Sequence, residues 1–225
     1  MEWSCEKANN EIKVFQCQGT YKLLEEPFCH VCSEINITTQ ECAWHKELYG
    51  FNRIYVMGKY VPPSREIEGD LLSSHILKLK SDKEYATPLG KALALTVQHC
   101  YPELLKLKPK VVPVPLHKDE HQQRGYNQAL ELARVLGKCL GIPVWHVLKK
   151  TRIVSMRPLK REERREAVRG LYMIYEERKD WIKDKQILLI DDVVTTGFTV
   201  SECSDVLIKS GAQQVNVLAL ARTVL

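Results

Sequence analysis

Ile187-Leu188-Leu189-Ile190-Asp191-Asp192-Val193-Val194-Thr195-Thr196-Gly197-Phe198-Thr199 is the stretch on which the reading of this chain turns. Four consecutive apolar residues precede two acids. A strand apolar on both faces belongs inside a parallel sheet. Helical spacing begins at about Thr199, with Val200, Cys203, Val206 and Leu207 on the inner side, and Ser210-Gly211 closes it. The turn between strand and helix therefore lies at the carboxyl edge of the sheet, where open α/β sheets hold ligands. Thr195, Thr196, Gly197, Phe198 and Thr199 sit at a helix N-terminus, whose free N–H groups and dipole favour a dianionic phosphate. Gly197 lets the backbone approach closely or take a positive φ. Asp191 and Asp192 would repel phosphate. They can instead accept hydrogen bonds from vicinal ribose hydroxyls, or hold Mg2+ through water. A carboxylate pair beside a phosphate nest fits a pentose 5-phosphate. A P-loop is excluded because no Gly-Lys-Ser/Thr follows, and a dinucleotide fingerprint because its three glycines are missing.

The flanking sequence alternates between strands and helices. Downstream, Val215–Ala221 is a final apolar strand. Upstream, Phe51–Tyr60 reads as a strand and Glu66 to Leu79 as a helix. Thr87-Pro88 reads as an N-cap with proline in the first turn, opening an amphipathic helix through Leu89, Ala92, Leu93, Thr96, Val97 and Cys100. Lys110-Val111-Val112-Pro113-Val114-Pro115 is a short buried strand cut off by prolines. Ala129, Leu132, Ala133, Leu136 and Leu140 mark a further helix, ended by Gly141. This order predicts an α/β fold: a mainly parallel sheet flanked by helices. The division expected is a cysteine-rich module over residues 1–50 and an α/β domain over 51–225.

Five of the eight cysteines, Cys5, Cys17, Cys29, Cys32 and Cys42, fall in the first 42 residues, a region that otherwise reads as irregular. Cys29-x2-Cys32-x9-Cys42-x2-His45 is a Cys3His set in two short knuckles. Tetrahedral Zn2+ suits it, and four protein ligands make the site structural. Cys5 or Cys17 is the alternative fourth ligand. Cys100, Cys139 and Cys203 lie on or beside apolar helix stripes and are expected in the core. No stretch approaches the roughly 20 apolar residues of a membrane span, and the N-terminus lacks a secretory signal's apolar centre, so the expectation is a cytoplasmic protein without a membrane partner. The net charge of +5 does not by itself indicate nucleic acid. From Lys149 to Arg169, however, nine Lys or Arg stand against three Glu. Such a run is either a solvated face or a mobile segment that meets an anion.

The Asp-Asp to Thr199 stretch resembles the phosphoribosyl diphosphate motif of type I phosphoribosyltransferases. Val112-Pro113-Val114-Pro115-Leu116, then Arg124-Gly125-Tyr126-Asn127-Gln128-Ala129 and Leu132-Ala133, narrow this to a resemblance to the ComF competence proteins. Ile67-Glu68-Gly69 with Leu71, Lys78-Leu79-Lys80, and Leu159-x-Arg161-x-x-Arg164-Arg165 ahead of Val168-Arg169-Gly170 belong to the same pattern. It covers about residues 29 to 223. Met156 and Ala167 depart from it, where the family commonly has Gln and Asn.

The resemblance implies a type I phosphoribosyltransferase-like fold and a pentosyl transfer: 5-phosphoribosyl 1-diphosphate, held with Mg2+, gives its ribosyl phosphate to a nitrogen acceptor through an oxocarbenium-like transition state. Asp191 and Asp192 would hold the ribose, and Thr195 to Thr199 the 5-phosphate. Val114, Pro115, Leu116 and Arg124, with Lys118 beside them, would meet the diphosphate. Arg157, Arg161, Arg164 and Arg165 would belong to a lid. Thr195 stands where the enzymes acting on 6-oxopurines carry an Asp base, which argues against such an acceptor. The resemblance also supports the zinc knuckles. Its second implication, from a different class, is a non-catalytic module in DNA uptake or processing that binds the same ligand or single-stranded DNA. The acceptor and the oligomeric state stay open.

Overall fold

The computed structural model describes residues 5–8, 11–14, 19–22, 48–62, 70–154 and 160–223. The first elements are β1 (Cys5–Ala8), β2 (Glu11–Val14) and β3 (Gly19–Lys22), an antiparallel meander. Next come β4 (Arg53–Tyr60), α1 (Leu71–Leu79), a 3-10 turn at Lys83–Tyr85, α2 (Ala86–Cys100) and the single turn α3 (Glu103–Lys106). β5 (Lys110–Pro113), α4 (Lys118–Arg124) and α5 (Gln128–Leu140) follow. The chain continues through β6 (Leu148–Lys150), α6 (Arg161–Val168), β7 (Tyr172–Ile174) and a 3-10 turn at Glu176–Ile182. It ends in β8 (Gln186–Val194), α7 (Phe198–Lys209) and β9 (Gln214–Thr223).

The central sheet runs β4-β9-β8-β5, with every pair parallel. Val144 extends it at the β5 edge by one bridge to Val111. Successive residues of a strand point to opposite faces, and β8 shows the consequence. Ile187 and Leu189 join one core cluster with Val200, Cys203 and Leu207 of α7, whereas Leu188 and Ile190 join another with α1, α2 and α5. Both faces are covered, so the strand must be apolar throughout. The α/β architecture expected from the sequence is the one observed.

Several boundaries differ, each for a local reason. The helix expected from Glu66 begins at Leu71 among the described residues, because the Asp70 carboxylate accepts from the Ser73 N–H at 3.0 Å and caps it there. The helix expected to be capped by Thr87 begins earlier, at Ala86, extending the 3-10 turn before it. Pro88 still falls in the first turn, where a missing N–H leaves no helix bond unmade. Cys203 is buried as expected, but Cys139 is exposed and Cys100 half-buried.

The meander overturns the irregular reading of the N-terminal region. Its strands are four residues each, too short for their alternation to stand out in sequence. Ile12 and Tyr21 are fully buried in the core cluster of α1 and α2. The Tyr21 hydroxyl meets Nδ1 of His75 at 2.5 Å.

Candidate phosphate site

β8 runs four residues past its apolar stretch, so Asp191 and Asp192 belong to the strand rather than to the turn after it. Asp191 pairs with Ala219, Val193 with Ala221 and Val194 with Arg222 of β9. Each acid is fixed by its successor's backbone: Asp192 N–H donates to Asp191 Oδ1 at 2.9 Å, and Val193 N–H donates to Asp192 Oδ1 at 2.9 Å. Burial, and then the neighbouring Asp192 carboxylate, raise the Asp191 pKa well above its ordinary value.

Thr195, Thr196 and Gly197 form the turn. Gly197 has φ +83°, and a Cβ there would stand 2.8 Å from Leu48 Cδ1. Only glycine takes this backbone without strain. α7 starts at the next residue, and Ser201 N–H closes its first turn on the Gly197 carbonyl at 2.9 Å. No side chain caps this helix among the described residues, whereas Asn127 caps α5 through the Leu130 N–H at 3.3 Å. The first N–H groups of α7 have no partner within their own helix. Thr196 and Thr199 are half-buried and Thr195 is exposed. The Phe198 ring is buried in the core.

The proline loop is tied to the strand carrying the acids. Val114 N–H donates to the Ile190 carbonyl at 2.9 Å, one residue before Asp191. The Val114 carbonyl accepts from Asn127 Nδ2, also at 2.9 Å, and both residues are buried. Val114, Pro115 and Leu116 thus leave the sheet beside Asp191 and Asp192. Arg124 is exposed at the end of α4, where Gly125 turns the chain with φ +78°. Its charge reaches Glu120. Burial alone would raise the pKa of Glu120, but the Lys150 ammonium at 2.7 Å and the His117 N–H reverse this and hold it below its ordinary value. Within the basic segment, Arg164 and Arg165 are half-buried on α6, which packs against α7. Arg157 lies outside the described residues, as do the zinc candidates Cys29, Cys32, Cys42 and His45.

Three further residues escaped the sequence reading. Tyr172 of β7 is buried beside Thr199. Burial pushes its phenol well up, with Cys203 and Asp191 adding to the rise. Arg222 is fully buried beside the loop, its Nη1 lying 3.5 Å from where a Gly197 Cβ would be. A lone Arg at the end of an apolar strand was the available signal. Glu202 of α7 accepts from the Tyr49 hydroxyl and from the Gly170 N–H, both at 2.7 Å, so the first turns of α7 are tied to the end of α6 and to residues 48–50. Burial, then Glu202, raises the Tyr49 pKa to about 12.

No family model matches the chain. A DNA utilization protein YhgH of Salmonella typhimurium is 31% identical over 187 residues, covering 77% of this chain and 73% of its own. Competence protein F of Haemophilus influenzae is 29% identical over 214 residues, covering 92% of this chain and 90% of its own. The chain belongs to the ComF family. Competence protein ComFC of Bacillus subtilis is similar to this ComF chain along nearly its whole length, 23% identical over 219 residues, with 95% of this chain and 85% of that protein covered. Among solved structures, a purine phosphoribosyltransferase from Pyrococcus horikoshii matches 60% of the ComF chain and 70% of its own, at 22% identity and TM-score 0.35. An allosteric regulatory enzyme of purine biosynthesis matches 70% of the ComF chain and 28% of its own, at 19% identity and TM-score 0.38. Among the described residues, no helix is long and apolar enough to cross a membrane.

Proposed function

We propose that this protein binds 5-phosphoribosyl 1-diphosphate with Mg2+ and transfers the phosphoribosyl group to a nitrogen acceptor. The observation that carries the reading is the uncapped start of α7, opened by Gly197 at φ +83° directly after a strand ending in two fixed carboxylates. The N–H groups of Phe198, Thr199 and Val200, with the hydroxyls of Thr195, Thr196 and Thr199, hold the 5-phosphate. Asp191 and Asp192 accept from the ribose hydroxyls.

The donor set suits Mg2+. Each carboxylate commits Oδ1 to a backbone N–H, and a cation would neutralise the two adjacent acids, whose proximity raises the Asp191 pKa. When bound, Mg2+ would neutralise charge on the leaving diphosphate. The protein's own contribution is positional. The proline loop, held through the Val114 carbonyl, and Arg124 receive the diphosphate, and the basic residues around α6 close over it and exclude water. Cys29, Cys32, Cys42 and His45, with Cys5 or Cys17 as the alternative fourth ligand, hold a structural Zn2+.

Incubation with phosphoribosyl diphosphate, Mg2+ and a panel of nucleobases and amines, following diphosphate release, tests the transfer. Turnover with one acceptor supports it. Binding without turnover across the panel defeats it in favour of a second reading, a non-catalytic protein of DNA uptake or processing that engages the same ligand or single-stranded DNA. The names of the relatives, competence protein and DNA utilization protein, favour that reading.

A further inference from the structure

A second cleft opens beside the proline loop, walled by the β6–β7 hairpin. One chamber, of about 410 Å3, is lined by Pro113, Pro115 and Leu116 together with Leu148, Tyr175 and Arg178. An adjoining chamber, of about 530 Å3, shares Leu116, His121, Lys149 and Tyr175 with the first and adds Lys118 and Lys150. None of Asp191 to Thr199 lines either chamber. The cleft is therefore distinct from the phosphate loop, although the proline loop serves both.

Its charge is unbalanced. Lys150 is neutralised by Glu120 at 2.7 Å, and Asp119 faces His117 at 3.5 Å. Lys118, Lys149 and Arg178 have no carboxylate partner among the described residues. Arg178 is nonetheless held in place. It donates to the His146 carbonyl, and its guanidinium lies 4.7 Å from the Tyr175 ring centroid and 5.9 Å from that of Trp181. Lys149 Nζ stands 5.4 Å from the same Tyr175 ring. Stacking arginine against aromatic rings keeps its donors aimed without consuming its charge. Pro113, Pro115, Leu116 and Leu148 supply the apolar part of the same lining. A cavity of several hundred Å3 is the size that takes a drug-sized or nucleotide-sized molecule.

A cleft lined by both apolar side chains and cations suits a ligand with a flat, weakly polar end and an anionic end. We propose that this cleft is a nucleoside-phosphate site, with the base against the proline wall and the phosphate between Lys149, Arg178 and Lys118. The ligand is either a free nucleotide or a nucleotide within a single strand, and the chemistry recognised is the same.

Calorimetric titration of the full chain with deoxyadenosine 3′-monophosphate tests this, since that probe lacks the 5-phosphate the α7 loop would take. An oligodeoxynucleotide and inorganic phosphate are titrated in parallel. The expected result is nucleotide binding that weakens about tenfold or more in Lys149→Ala and in Arg178→Ala, and changes less than about twofold in Asp192→Asn. Arg178 also supports the His146 carbonyl, so Lys149→Glu provides a second variant that leaves this contact in place. Binding of the oligonucleotide in place of the mononucleotide, lost in the same variants, supports the site and identifies a strand as its source. Inorganic phosphate binding as tightly as either nucleotide overturns the proposal. So does an equal loss in Asp192→Asn, which assigns the heat to the phosphate loop, or the absence of nucleotide binding altogether.

Discussion

Asn127 donates from Nδ2 to the Val114 carbonyl while its Oδ1 accepts the Leu130 N–H. One side chain therefore caps α5 and fastens the proline loop to the sheet edge. Asn127→Ala removes the cap, at a cost of about 1 kcal/mol. It also leaves a buried carbonyl without its donor, which costs about 1–3 kcal/mol more. Urea unfolding should show a loss of roughly 2–4 kcal/mol, with weaker phosphoribosyl diphosphate binding. Asn127→Asp keeps the cap but loses the donor. Wild-type ligand affinity in that variant would contradict the role given to the proline loop.

Gly197→Ala places a Cβ 2.8 Å from Leu48 on a backbone at φ +83°. The conformational cost alone is about 1–2 kcal/mol, and Leu48 must also move. We expect reduced thermal stability and loss of ribosyl-diphosphate binding. Adding Leu48→Ala should recover part of the stability, since it removes the clash and leaves the backbone strain. If the single variant binds the ligand with native affinity in calorimetry, the α7 loop is not the phosphate site.

Asp191 is half-buried beside a second carboxylate, and its pKa is raised well above 3.8. The folded protein holds that proton more tightly than the unfolded chain does. Stability is therefore highest where the carboxyl is protonated in both states, and falls as pH rises from 3.8 through the folded value. Asp191→Asn removes this penalty. The variant should melt above the wild type near neutral pH and converge with it in acid, while ligand binding is abolished. Scanning calorimetry across pH reads the first effect and titration calorimetry the second.

His75 joins the meander to α1 through Tyr21, with Tyr85 5.3 Å away between ring centroids and Lys78 on the same helix. Burial, then the Lys78 charge, lower its pKa from 6.5. Its contribution is complete above 6.5 and is lost as pH falls below that value toward the folded one. Amide protection factors in β1–β3, corrected for the intrinsic pH dependence of exchange, should fall on mild acidification before those in β8 and β9 do. His75→Phe, which does not titrate, should abolish that selective change.

The strand, turn and helix start over Ile187 to Thr199 were legible because their requirements are local. A buried parallel strand must be apolar on both faces. A tight turn into a helix needs glycine at its positive-φ position. Carboxylates next to that turn have few structural reasons to be there. The meander was not legible, because four-residue strands display no period and acquire their order from packing against α1 and α2. Asn127 appeared in the sequence only as a motif position ahead of a helix. Its bond to Val114 spans 13 residues and depends on the chain turning at Gly125.

The sequence by itself determined the order of the central strands and their flanking helices, the membership of the Asp-Asp and threonine stretch in one strand–turn–helix junction, and the proline loop as a stiff strand end. These follow from periodicity and from restrictions on single residues. Only the tertiary structure decided which distant groups surround that loop. Arg222 reaches it because β9 runs parallel to β8 in a register that sets Val194 against Arg222. Tyr172 reaches Thr199 because β7 folds over α7, and Lys149 and Arg178 face the proline loop because β6 and the 3-10 turn at Glu176–Ile182 close over it. Such meetings depend on where separate elements pack, and no local pattern in the chain encodes them.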